Sequence, residues 1–249
     1  MMGFQLMSRV LLALLSLASL ACAHTIEFNN NTFFSPVTGQ EFLSGSVSVA
    51  SNNVTPVTVV DDITNNPPLR SGVHFEDIEG ILSGSSVSNL EPNANLTLIS
   101  GVDVFIGNTV NGVRWQFLRA PFGWVGAVQA GISDRTDETS KTSQAFTATS
   151  TAKIKTTETG ISIGYQFPTV VAYASYVTDK HNTSTTVTNA SGSFGPYADS
   201  GEHTMTSVGL ASTTPGFYYG IEHSFVDLVW NSVTKAKKTA TGFRIGYMW

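Results

Sequence analysis

The 249-residue sequence predicts an all-β fold, an antiparallel up-and-down β-barrel of about ten strands, with eight or twelve as the neighbouring counts. Three observations lead there. Apolar residues alternate with small or polar ones in segment after segment, the period of a strand with two unlike faces. The connections alternate between short uncharged turns and longer, mostly polar loops. The aromatic residues gather beside the short turns, a sorting by level that a soluble sandwich does not need.

Taken in chain order, Arg9 precedes an apolar run from Val10 to Leu20, followed by Ala21-Cys22-Ala23. A positive residue, a short apolar core and an A-x-A site predict a secretory signal peptide over residues 1–23, cut after Ala23. The run is shorter than the about 20 residues a membrane helix needs. Cys22 follows a small residue as a lipidated cysteine does, but Ser19 stands where such signals usually carry leucine, which argues against lipidation. Cys22 is the sole cysteine, so the mature chain would have no disulfide and would rest on packing and hydrogen bonds. Residues 24–40 read as a polar lead-in, and residues 41–249 as the barrel.

Within the barrel, Phe42 to Val60 reads as one bent strand or two short ones, interrupted at Asn52-Asn53 and Pro56. Asp61 to Pro68 is a loop, because paired prolines stop a ladder. Val73 to Asn89, with Glu76, Asp77 and Glu79, fits a helical turn as well as a strand, and Glu91 to Asn95 reads as a turn. Leu96, Leu98, Val102, Val104 and Ile106 then share one face, opposite Thr97, Gly101 and Asp103. After a reversal at Gly107–Gly112, Val113, Trp115 and Phe117 oppose Arg114 and Gln116; Ala120–Gly123 turns; Trp124, Val128 and Ile132 lead the next strand.

Residues 134–151 read as a long polar loop, and Ile161, Ile163, Tyr165 and Phe167 return opposite Glu158 and several glycines. A turn at Phe167–Thr169 leads to Val170–Val177, and residues 181–199 form a second long loop. Thr204–Ala211 descends to a turn at Thr213–Gly216. Phe217, Tyr219 and Ile221 open a strand whose alternation slips between His223 and Val226, where a bulge is expected. Lys235–Lys238 lies in the last loop, before Thr241, Phe243, Ile245, Tyr247 and Trp249 alternate along a final strand.

Charged residues make up only 12% of the chain, about half the share of a soluble domain. Low charge, 22 glycines and abundant Ser and Thr suit a barrel that turns apolar residues to lipid and small polar ones inward. Phe117, Phe122, Trp124, Tyr165, Phe167, Tyr173, Phe217, Tyr219, Tyr247 and Trp249 form the expected aromatic girdle of a transmembrane barrel. Such a wall must close, because lipid offers no partner to an open strand edge.

The opposite faces place Asp103, Arg114, Gln116, Glu158, Glu222 and Arg244 in the lumen, where mutual pairing is the chief expectation and a polar constriction the second. Glu222-His223-Ser224 carries hydrolase residue types, but strand neighbours point to opposite faces, so no catalytic residue and no enzymatic activity are expected. The histidines offer no i, i+2 or i, i+4 pair, so neither a metal nor another cofactor is expected. The net charge of −5 and the lack of a basic patch argue against nucleic acid.

The final stretch, Phe243-Arg-Ile245-Gly-Tyr247-Met-Trp249, resembles the terminal strand of Gram-negative outer-membrane β-barrels, with Trp in place of the commoner Phe. The resemblance is architectural and matches no functional subfamily. It implies that Phe243, Ile245, Tyr247 and Trp249 are the signal read by the barrel-assembly machinery. It also implies a bacterial outer-membrane location, with membrane lipid as a partner. Function on this reading is structural or narrowly porin-like, passing small solutes through a polar lumen. The alternative is a surface adhesin whose ligand is held by loops 134–151 and 181–199; a membrane-embedded lipid or peptide hydrolase ranks third.

Overall fold

The computed structural model of the chain describes residues 21–26, 45–51, 57–62, 69–75, 90–107, 110–120, 122–142, 147–231 and 234–249, with side-chain surroundings from Ala94 onward. Its strands are β1 (Ala21–Ile26), β2 (Gly45–Ser51), β3 (Val57–Asp62), β4 (Leu69–Phe75), β5 (Leu90–Ile99), β6 (Val102–Ile106) and β7 (Asn111–Leu118). They continue as β8 (Gly123–Thr142), β9 (Thr147–Gln166), β10 (Val170–Asn189), β11 (Gly192–Ser212), β12 (Gly216–Trp230) and β13 (Thr234–Met248). Nine of them, β5 to β13, each pair antiparallel with the next and curl into an up-and-down half-barrel. The short β2 pairs with β13 on one side and β5 on the other, so the hydrogen-bonded order returns on itself. β1, β3 and β4 form a separate sheet in the order β1-β3-β4, and β1 approaches β8 and β9.

Alternation explains both faces of the curl. Along β9, Ile154, Thr156, Glu158, Ser162 and Gln166 are buried on the concave side, while Ile161, Ile163, Tyr165 and Phe167 are exposed on the convex side. β-branched and aromatic residues suit a pleated wall, and serines suit a crowded interior. The short turns before β8 and β12 each end on a glycine, Gly123 with φ +103° and Gly216 with φ +100°. That backbone region disfavours a side chain, so glycine allows the chain to reverse at once and present Trp124 and Phe217 outward.

The outer face is graded by level. The exposed rings start beside the short turns, where Trp124 meets Tyr165 edge-on at 5.7 Å and Tyr165 meets Phe167 at 5.1 Å. Aliphatic and threonine side chains follow. Then comes a row of exposed cross-strand ion pairs: Asp134 with Lys155 at 3.7 Å, Lys180 with Glu202 at 3.9 Å, and Asp227 with Lys237 at 3.0 Å. Between these two levels the outward positions of β8 to β13 carry no Asp, Glu, Lys or Arg. His223 is half-buried there, with Nδ1 hydrogen-bonded to Thr241 Oγ1 at 2.7 Å and its ring edge-on to Phe225.

Several expectations are corrected. The expected loops 134–151 and 181–199 are mostly strand: β8 runs to Thr142, which pairs with Thr147 at the start of β9, and β10 and β11 are joined at 190–191. Their Ser and Thr residues read as loop by composition. In the structure they alternate like any strand, with Ala148, Ser150 and Ala152 buried on one face. Lys235–Lys238 likewise lies within β13, and Glu91–Asn95 within β5, where Pro92 sits opposite Val49 near the strand's start. The run from Leu96 to Ile106 is a hairpin turning at Ser100-Gly101, where Gly101 has φ +88°. No register shift occurs between His223 and Val226, because His223 outward and Ser224 inward keep the alternation unbroken. Phe42–Val60 resolves into β2 and β3 in different sheets. The first residues of the helix-or-strand segment end β4 at Phe75, and its remaining residues, with most of the expected signal peptide and of the expected lead-in, lie outside the described residues.

Candidate functional site

The concave face gathers polar side chains from strands far apart in sequence. Asp103, Arg114, Gln116, Glu158, Glu222 and Arg244 are all buried there, none more than 6% exposed. β6 and β7 set Asp103 opposite Arg114. Asp103 accepts hydrogen bonds from Thr97 Oγ1 at 2.8 Å and from Gln116 Nε2 at 3.0 Å. Arg114 donates from Nε to Gln129 Oε1 at 3.4 Å and lies 5.7 Å from the Phe105 ring centroid. Gln129 passes the connection on, donating to Glu158 Oε1 at 2.7 Å. Across the interior, Glu222 accepts from Tyr173 Oη at 2.8 Å and from Ser224 Oγ at 3.2 Å, and Ser224 bonds Ser207 at 2.7 Å. Arg114 also lies within electrostatic reach of Asp103, Glu158 and Arg244.

This geometry holds buried acids with neutral donors and nearby guanidiniums, which is what a crowded interior requires of its charges. Apolar packing accompanies the network, with Val125, Ala127, Val171, Tyr173 and Ala211 in one cluster toward the short turns.

Of the residues expected in the aromatic girdle, Phe117, Phe122, Trp124, Tyr165, Phe167, Phe217, Tyr219, Tyr247 and Trp249 are exposed on the outer wall or its turns. Tyr173 is not. It is 5% exposed and turned inward, since it shares the parity of buried Val171, Ser175 and Val177. Its partners in register are two glycines, Gly164 and Gly209, and a Cβ on Gly209 would come 2.5 Å from the tyrosine ring. Tyr218 is buried as well. A glycine on both sides of one aromatic was the sequence signal for this inward turn.

The residue types of a hydrolase do not converge. Ser224 faces Glu222 and Ser207 inside, while His223 lies on the outer face with Thr241.

A second inner cluster lies outside the residues that the sequence singles out. Asp179 and His181, two apart on β10, face His203 on β11, and all three are at most 1% exposed. One ligand atom from each lies within 4.8 Å of the others. The sign was an Asp-x-His pair on one strand face. Placing His203 opposite Asp179 needs the register of a hairpin whose upper half reads as a loop by composition.

Comparison with protein-family models, with curated proteins and with solved structures returns no match for this chain.

Proposed function

We propose that the chain is a closed, ten-stranded transmembrane barrel of the outer-membrane type, with a structural or narrowly porin-like role. One observation carries this: the uncharged belt on the outer wall. From the Trp124–Tyr165 pair to the Asp134–Lys155 pair, β8 advances by ten residues in register. At about 3.3 Å per residue and a tilt near 40°, that rise is roughly 25 Å, the height of the apolar band of an outer-membrane barrel. Aromatic rings at one rim and paired charges at the other match the two interfaces of a bilayer. A soluble protein has no use for so large an apolar wall.

The interior supports the structural half of the role more than the porin half. Arg114, Glu158 and Glu222 are hydrogen-bonded to side chains one or two strands away and Arg244 lies within electrostatic reach of Arg114, so any path for solutes runs past these four residues. The first experiment is migration of the unheated and heated protein from an isolated outer-membrane fraction. A heat-modifiable band is expected, and recovery from the soluble fraction alone refutes the reading. Reconstitution into planar bilayers then separates the two roles: conductance changed by Arg114→Ala or Arg244→Ala marks a path, and its absence leaves the structural role.

A second reading is favoured by the length of β8 to β11, which continue well beyond the charged row. These hairpins would meet a surface ligand, as rigid scaffolds present recognition elements at their rims.

A further inference from the structure

We propose that Asp179, His181 and His203 form a binding site for a divalent transition-metal ion, with Zn2+ as the type, joining β10 to β11 on the inner face. The assignment stands apart from the membrane reading, since it depends only on the hairpin register that sets Asp179 opposite His203.

The donor atoms are already disposed around a common point. Asp179 Oδ2 and His203 Nδ1 lie 3.3 Å apart, both side chains fully enclosed, yet without the orientation of a hydrogen bond. Two ligand atoms each about 2.0–2.1 Å from a tetrahedral ion stand roughly 3.3 Å from one another. The third donor, from His181, lies no more than 4.8 Å from the other two.

The carboxylate gives the independent argument. Asp179 is 0% exposed and neither of its oxygens accepts a hydrogen bond, so the anion needs a positive charge beside it, either a protonated His203 at 3.3 Å or an ion that the two side chains share. Thr156 supplies the outer support that a metal-bound imidazole requires. Its Oγ1 lies 3.0 Å from His181 Nδ1, so the tautomer that gives the Nδ1 proton to Thr156 leaves the Nε2 lone pair for the ion. Two imidazoles and one carboxylate suit Zn2+, Co2+, Ni2+ or Cu2+; Mg2+ and Ca2+ prefer oxygen throughout.

Cobalt makes the site visible. Co2+ is titrated into the metal-free folded protein, in detergent micelles or in buffer as its solubility dictates, with d–d absorption as the readout. One equivalent should give visible bands that Zn2+ displaces. Asp179→Asn keeps the side chain's shape and should weaken binding at least tenfold; His203→Ala should do the same. His223→Ala on the outer wall and Asn182→Ala should leave the titration unchanged. Far-UV circular dichroism confirms that each variant is folded, and if His203→Ala does not fold, Asp179→Asn alone decides. No bands in the native protein, or an unaltered titration in Asp179→Asn, overturns the proposal.

Discussion

A single arginine placed at Ile161 separates a lipid-facing wall from a solvated one. Ile161 is 50% exposed on the outer face of β9 and pairs in register with Val128. It lies four residues above Tyr165 and six below Lys155, so it stands near mid-height in the uncharged belt. Arginine at the midplane of a barrel wall costs about 2–4 kcal/mol, while near an interface the cost falls to about 0–1 kcal/mol. Thr157 is the matched control, on the same strand and face and two residues from Lys155. On the membrane reading, Ile161→Arg lowers the folding equilibrium constant roughly 30- to 700-fold, and Thr157→Arg at most about fivefold. The assay is urea unfolding in phospholipid vesicles, followed by the emission of Trp115, Trp124 and Trp249, which all lie on the outer face. If the wall faces water, both substitutions fall within about 0.5 kcal/mol of the native protein, as exposed surface changes do. Equal effects at the two positions would refute the depth argument.

Three further outcomes follow from the interior and the hairpins. Tyr173→Phe removes the 2.8 Å hydrogen bond to the buried Glu222 carboxylate and should destabilise the fold by about 1.5–3 kcal/mol, read as a lower urea midpoint. Gly201→Ala would put a Cβ 2.1 Å from Trp230, whose ring is fully buried, so the ring must shift; about 1–3 kcal/mol should be lost, with a change in Trp230 emission. Removing residues 137–152 and joining Thr136 to Lys153 by a two-residue turn should leave the folded band intact, because those two residues already face each other. Cell-surface binding lost in that variant supports the second reading of function, and unchanged binding removes this hairpin from it.

Period-two patterning made the wall legible: the outward faces at Val113–Phe117, Ile161–Phe167 and Thr241–Trp249 follow from alternation, and so do the six inward polar residues. Patterning fails where both faces are polar. Asn182–Asn189 has one apolar residue, Val187, and Thr147–Lys155 marks its buried face only with the small Ala148 and Ala152 before Ile154, so their pairing depends on neighbours already in place. Tyr173 escapes the pattern because an aromatic near a turn satisfies a girdle and a core equally well. Only its two glycine partners across the ladder decide. The histidine cluster is hidden for a related reason, since register turns Asp179 and His203, 24 apart in sequence, into facing neighbours.

The tall hairpins change what kind of contact the upper rim can make. β8 continues eight residues beyond Asp134 to its end at Thr142, roughly 25 Å of paired backbone. On the proposed placement, that carries the tip clear of a headgroup layer about 5–8 Å deep. A partner arriving there meets strands already ordered by their ladders, with Thr142 opposite Thr147 and Asn189 opposite Gly192. Little conformational freedom is left to lose on contact, so even a small footprint at the tips can be held with a modest entropic penalty.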